Sequence, residues 1–177
     1  MRKLLAYGLC LFLLTSCHSS DRKAEAPHLI KKANAVVNPT QGHKTWGSIT
    51  FTETKEGVLI VANIQGLPPG KHGFHVHEFG DCSAPDASSA GGPYEPAHPK
   101  TRAENTERYI SDLGNLEANE KGHAFYERLD RVITLNGPNS ILGKSVVIHQ
   151  NEDDFKIHPA GSLGKRMACG LILPVEE

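Results

Sequence analysis

The sequence predicts an all-β domain folded as an antiparallel sandwich or barrel. Three observations predict it: short segments in which apolar and polar residues alternate, turn compositions between those segments, and no stretch of helical periodicity. Ile49 and Phe51 alternate with Ser48, Thr50 and Thr52, which makes a first strand. Thr54 to Gly57 has turn composition, and Val58 to Ile64 is a second strand of apolar and small residues. Leu67-Pro68-Pro69-Gly70 turns the chain again into His72 to Glu78, with Phe74 and Val76 on one face; three strands in succession predict an antiparallel meander. Asp81 to Asn105, rich in Ser, Ala, Gly and Pro, is a long loop, and a loop of that length inside a compact domain is uncommon unless it is functional. Strands return at Ala124 to Tyr126, Val132 to Leu135, Ser145 to His149 and Met167 to Leu173, separated by turns at Asn119 to Gly122 and Asn136 to Asn139.

The 177 residues carry a formal charge of −1, with 22% charged and 38% hydrophobic residues, the profile of one globular domain. Lys and Arg do not cluster, so nothing points to a nucleic-acid partner, which would demand several neutralised phosphates. Arg2 and Lys3 precede an apolar run from Leu4 to Leu14, then Leu14-Thr15-Ser16-Cys17. This reads as an export signal over residues 1–16, since the run is too short to span a bilayer, which takes about 20 residues. Its ending resembles the bacterial lipobox, in which cleavage before the cysteine leaves a residue that is acylated. That resemblance makes Cys17 a lipid anchor on the membrane, and His18 in the following position, rather than Asp, implies an outer-membrane lipoprotein facing the periplasm. Residues 17–42 are polar and read as a tether, and residues 43–177 as the folded domain.

Export changes the meaning of the cysteines. Cys10 leaves with the signal and Cys17 takes lipid, so Cys82 and Cys169 remain and read as one disulfide in an oxidising compartment. Loss of Arg2 and Lys3 leaves 17 Lys and Arg against 20 Asp and Glu, a net charge of −3.

His75 and His77 lie one residue apart on a strand whose Phe74 and Val76 face the core, so both imidazoles project from its other, outward face. Two imidazoles on a stiff strand can hold one metal ion, and His149, at the end of the Ser145 to Ile148 strand, is a candidate third ligand. Three imidazoles without a thiolate suit copper or zinc.

The segment Gly70-Lys71-His72-Gly73-Phe74-His75-Val76-His77-Glu78-Phe79-Gly80-Asp81 closely resembles the first metal-ligand segment of copper/zinc superoxide dismutases. Four more segments agree in order: Ser89 to Pro96, Asp112 to Leu116, Val146 to His149 followed by Asp153-Asp154, and Gly164 to Gly170. The resemblance covers about residues 43 to 175 and implies a Greek-key antiparallel barrel, a sandwich architecture of immunoglobulin-like type.

By that resemblance His75, His77 and His149 match three of four copper ligands, and Arg166 matches the arginine that guides superoxide to copper. Cys82 and Cys169 match the family disulfide. Asp112 matches a zinc-ligating carboxylate, and Asp153 matches the acid that links the two metal sites. The histidine that bridges copper and zinc is absent: Pro93 stands in its place, followed by Tyr94. The other zinc histidines are absent too, with Tyr109 three residues before Asp112 where one is expected and Lys100 or Thr101 where the other should fall. One vestigial carboxylate does not hold zinc against water, so zinc is not expected, and without that clamp the Ser83 to Ser111 loop is expected to be more mobile. A rebuilt zinc site from His98, Asp112 and His158 is the alternative. His28 and His43 carry no inferred role, and His72 reads as a hydrogen-bonded structural histidine.

The expected activity is conversion of superoxide to oxygen and hydrogen peroxide at a three-histidine copper site. Arg166 supplies a fixed positive charge that attracts the anion in an otherwise negative protein. Two other readings stay open: a copper-sequestering or carrier lipoprotein on the same fold, and zinc in the three-histidine site, either structural or activating a water. Neither an oligomeric interface nor the source of superoxide is legible in one sequence.

Overall fold

The computed structural model describes residues 29–96, 109–154 and 163–176. The segment read as an export signal, with Cys10, and Cys17, His28, His98, Lys100, Thr101 and His158, all lie outside them. Among the described residues there are nine strands: β1 (Lys32–Pro39), β2 (Trp46–Glu53), β3 (Val58–Gln65), β4 (Gly70–His77), β5 (Asp112–Ala118), β6 (Ala124–Asp130), β7 (Ser145–His149), β8 (Arg166–Leu171) and β9 (Leu173–Pro174). The order in space is β5-β4-β7-β8-β1-β2-β3-β6, with β9 beside β1, and every named pair is antiparallel. The sheet curls so that its two ends meet. Tyr126 Oη of β6 donates to the Leu113 carbonyl of β5 at 2.6 Å, and Arg128 Nη2 reaches the Asp112 carbonyl at 3.5 Å. Side chains thus close what the backbone ladder leaves open, and the result is an all-β, near-closed antiparallel barrel.

Alternation explains the core. Ile49 and Phe51 of β2, Val58, Ile60, Ala62 and Ile64 of β3, Phe74 and Val76 of β4, and Val146 and Ile148 of β7 all point inward and are fully buried. Phe74 meets Tyr126 edge-on, ring centroids 5.1 Å apart. Each large side chain removed from water contributes roughly 1.5–3 kcal/mol.

Four sequence expectations need correction. Lys32–Pro39, within the segment read as a tether, is β1: Ala33, Ala35 and Val37 alternate with Asn34, Val36 and Asn38, and all three small residues are buried. The folded domain therefore reaches back at least to Lys32. The meander stops after β3, because β3 pairs with β6 while β4 crosses to lie between β5 and β7. Val132 to Leu135 is not a strand: Ile133 and Leu135 are buried, but the segment has one isolated bridge, Thr134 to Ser140. Asp112–Ala118 is a strand that the alternation did not predict.

Two β-bulges shape the end that carries His75 and His149. Phe74 pairs with Gly114, yet His75 pairs with Asp112, so Leu113 is the extra residue. Ile148 pairs with Ala168, yet His149 pairs with Arg166, so Met167 is extra. Directly paired residues point to the same face, and each bulge reverses the expected facing. Leu113 and Met167 turn into the core, while Asp112 and Arg166 join His75 and His149 on the outer face.

Candidate metal centre

His75 and His77 do face out of the barrel, as period two requires, but they are 1% and 0% exposed, and His149 is 2% exposed. Chain segments outside the barrel cover them. One of these is built on a second, small core in which Ala87, Ala90, Val147 and Cys169 are buried together with Cys82 packed against them. Cys82 and Cys169 are joined in a disulfide with their Cα atoms 5.8 Å apart, which ties this segment to β8. A single 3-10 turn, Ser88–Ala90, follows Ala87, whose φ of 58° is the one positive value at a non-glycine among the described residues.

The three imidazoles converge. Nε2 of His77 lies 3.2 Å from Nε2 of His149, and the His149 ring centroid is 5.3 Å from that of His75 and 5.4 Å from that of His77. Their remaining partners decide which nitrogens are basic. His77 donates Nδ1–H to the Gly91 carbonyl at 3.0 Å, leaving Nε2 with its lone pair toward His149. His75 donates Nε2–H to Oδ2 of Asp153 at 2.7 Å, leaving Nδ1 unprotonated, buried and without a hydrogen-bond partner. Two facing Nε2 atoms at this separation need one proton or one cation between them. Burial is the main reason both rings resist protonation. It pushes His77 down to about 3, helped by Arg166 and His75 and partly opposed by the Gly91 hydrogen bond. Burial likewise takes His149 well below the ordinary imidazole range, with His75, His77 and Arg166 adding repulsion. Neutral imidazoles held in this way, with an orphaned buried Nδ1 on His75, fit a soft or borderline transition-metal ion such as copper.

Arg166 adjoins this cluster. Its Nη1 donates to the Ala87 carbonyl at 2.6 Å and its Nη2 to the Gly91 carbonyl at 2.7 Å. The Gly91 oxygen therefore accepts from both Arg166 and His77. Gly91 has φ 75°, and a Cβ there would stand 2.7 Å from Glu78 Oε2 and from the Phe79 ring, so glycine is required to aim this carbonyl. A cleft of about 560 Å³ opens beside the guanidinium, lined also by Thr40, Gln41, His43, Asp86 and Lys165. Partial burial lowers the Arg166 pKa, while nearby Asp86 works in the opposite direction.

Pro93 forms a backbone bridge with His77 and offers no donor, and Tyr94 is buried with the Lys144 ammonium 3.8 Å above its ring. Asp112 is buried beside His75, its Oδ1 3.4 Å from Nε2, and with Asp153 makes a group whose possible ligand atoms lie within 4.8 Å of one another. Tyr109 meets Asp112 through its backbone, its N–H donating to Oδ2 at 3.1 Å. His72 stands between the His149 and Pro68 carbonyls at 3.1 and 2.9 Å. The parts that sequence reasoning did not name are the Ala87 and Gly91 carbonyls and Asn115, which exchanges hydrogen bonds with the Asp153 backbone at 2.9 and 2.8 Å. Asp112 to Leu116 was already a recognisable segment, and that was the one signal for Asn115.

The family model described as copper/zinc superoxide dismutase (SODC) matches residues 45–172. The chain belongs to this family. A superoxide dismutase [Cu-Zn] of Onchocerca volvulus is 36% identical over 145 residues, covering 75% of this chain and 90% of the relative. Superoxide dismutase [Cu-Zn] 5 of Dictyostelium discoideum is 42% identical over 137 residues, covering 71% and 88%. The extracellular superoxide dismutase [Cu-Zn] of Caenorhabditis elegans is 36% identical over 176 residues, covering 96% and 78%. Among solved structures, the clock protein EA4 superposes with a TM-score of 0.72 at 36% identity, covering 85% of this chain and 99% of that one. Membership of this superoxide dismutase family implies copper.

Proposed function

We propose that this chain is a copper-dependent superoxide dismutase that works without the bridging histidine and without zinc. The observation that carries the reading is the shared Gly91 carbonyl, which fixes a metal-ligating imidazole, His77, and an anion-attracting guanidinium, Arg166, to the same atom. His75, through Nδ1, and His77 and His149, through Nε2, would hold copper. When bound, copper supplies the one-electron oxidation and reduction that dismutation requires. The chain's own contribution is binding, orientation and proton bookkeeping. Arg166 presents a pre-positioned cation beside the ligands and lines a cleft that an anion can enter. His75 keeps its Nε2 proton on Asp153 and His77 its Nδ1 proton on Gly91, so neither ring is arranged to release one. Pro93 has no proton to give, and the two protons of hydrogen peroxide come from solvent.

The protein in this reading is exported, consistent with the disulfide and with relatives that are named extracellular in Caenorhabditis elegans and Brugia pahangi. Cys17 as lipid anchor and a bacterial outer-membrane location, facing the periplasm, are the finer proposal, carried by Leu14-Thr15-Ser16-Cys17 and His18. Superoxide dismutation by the purified protein, loaded with one equivalent of copper, tests the function, with His149→Ala as control. Rapid turnover that the substitution abolishes is expected. Tight copper binding with no turnover above that control would instead make this a copper-sequestering or carrier protein, and zinc recovered with the native protein would refute the zinc-free assignment.

A further inference from the structure

We propose that Asp112 is a positioning residue for His75, its carboxylate acting directly on the Nε2–H edge of that imidazole alongside Asp153. The inference rests on the copper reading of the three-histidine site and assigns Asp112 a task other than zinc ligation. The backbone is shaped for it. In a regular ladder His75 would face Leu113, and Asp112 would point into the apolar core; the bulge at Leu113 exchanges them. The Tyr126 hydroxyl on the Leu113 carbonyl and the Arg128 guanidinium by the Asp112 carbonyl hold that bulge. Gly114 completes it with φ 116°, at a place where a Cβ would stand 2.6 Å from Tyr126 Oη.

The side chain is then oriented from both ends. Oδ2 accepts the Tyr109 N–H at 3.1 Å, and Oδ1 lies 3.4 Å from His75 Nε2, an electrostatic contact rather than a hydrogen bond, with both side chains 1% exposed. Asp153 makes the shorter contact, 2.7 Å, and Asn115 holds its backbone. Strand β5 thus serves His75 twice, through Asp112 directly and through Asn115 by way of Asp153. A nitrogen that carries a proton is not a metal ligand. His75 Nε2 donates that proton to Asp153, so the three residues are arranged around an N–H rather than around a cation. Carboxylates behind a ligating imidazole fix its tautomer and ring angle and make the opposite nitrogen, here Nδ1, a stronger donor.

Asp112→Asn, which keeps size and shape, tests this by affinity and spectroscopy rather than by turnover. We expect the purified protein to lose about 10- to 100-fold in copper affinity and to show a changed Cu(II) hyperfine splitting, with metal-free urea unfolding retained. Combining it with Asp153→Asn is expected to give a loss smaller than the product of the two single losses, since both act on one N–H. Should Asp112→Asn fail to fold, the metal-free wild-type protein decides by NMR. There the His75 Nε2–H is expected to exchange with solvent more slowly than the His77 Nδ1–H, which has one carbonyl acceptor; faster exchange overturns the proposal. Unchanged affinity and spectrum in Asp112→Asn also overturn it, as does one equivalent of zinc bound by the wild type and lost in the variant. A protein that binds copper in this Asp112-dependent way but does not dismute superoxide would sink the dismutase reading and leave this one standing.

Discussion

Acid should destabilise the metal-free protein through two buried histidines, and by an amount the site geometry sets. An ordinary imidazole in the unfolded chain takes a proton near pH 6.5, whereas His77 in the fold resists until about 3 and His149 is also held well below its usual range. Between these limits the unfolded chain binds more protons than the native one, so stability is complete above pH 6.5 and falls as pH drops below it. The loss from His77 ends only near pH 3. His77 contributes a slope of about 1.4 kcal/mol per pH unit in this window and at pH 5 removes about 2 kcal/mol relative to pH 7, and His149 adds to the loss in the same direction. Against the roughly 5–15 kcal/mol that holds a typical domain together, the loss is readily measured. Urea unfolding of metal-free protein from pH 7 to pH 4.5 measures it, with His77→Gln/His149→Gln as comparison. The double variant should have lost most of the slope, and copper should raise stability at every pH in this window by binding only the native arrangement. Equal slopes in wild type and double variant would refute the claim that these rings are buried neutral and converge on one site.

Three further outcomes follow from the same geometry. Cys82→Ser/Cys169→Ser removes a crosslink across a sequence separation of 87 and should cost roughly 4–5 kcal/mol in urea unfolding on the chain-entropy account; a loss under about 1 kcal/mol would show that the loop is held by its small core alone. Gly91→Ala forces a side chain into φ 75° against Glu78 and Phe79 and should cost about 1–3 kcal/mol while weakening copper binding, because the carbonyl shared by His77 and Arg166 must move; calorimetry and copper titration read both. Arg166→Gln should lower turnover per bound copper by about 10-fold or more at low salt and flatten its ionic-strength dependence, without a matching loss of copper affinity.

What was legible in the sequence follows physical lines. β2, β3, β4 and β7 carry large apolar residues at every second position, and each was found. β1 has the same period written in Ala33, Ala35 and Val37, where two of three inward residues are alanines too small to stand out from a polar segment. β5 was hidden by its own bulge: Leu113 and Leu116 are both core residues yet sit three apart, a spacing that no regular strand allows. In the site, His75 and His77 were legible from period two. His149 could be named only as a candidate, and Arg166, Asp112 and Asp153 took roles only through family resemblance. For Arg166 and Asp112 the reason is plain, because the residues that turn them outward, Met167 and Leu113, are ordinary apolar side chains whose extra place in the ladder appears only when strands are paired. Ala87 and Gly91 act through backbone oxygens, and a carbonyl leaves no mark in a residue type.

In the proposed reading Pro93 stands at the bridging position, and its surroundings show how the fold would separate metal chemistry from its own stability. Proline inside a ladder ordinarily sacrifices a hydrogen bond, since it lacks an N–H. Here the bridge between His77 and Pro93 is one whose bonds come from the neighbours: Glu78 N–H donates to the Gly92 carbonyl at 2.9 Å and Tyr94 N–H to the Val76 carbonyl at 2.8 Å. The missing donor is never required. The segment that carries Pro93 is fixed instead by the disulfide, by the small core around Val147 and by the two carbonyls on Arg166, none of which uses a metal. On that reading a histidine could be lost at this position without loosening the copper side, because His77, Gly91 and Arg166 are bound to one another directly. The change would then fall on proton delivery, and a solvent-isotope effect on turnover larger than that of a family member retaining the bridge would be its kinetic signature.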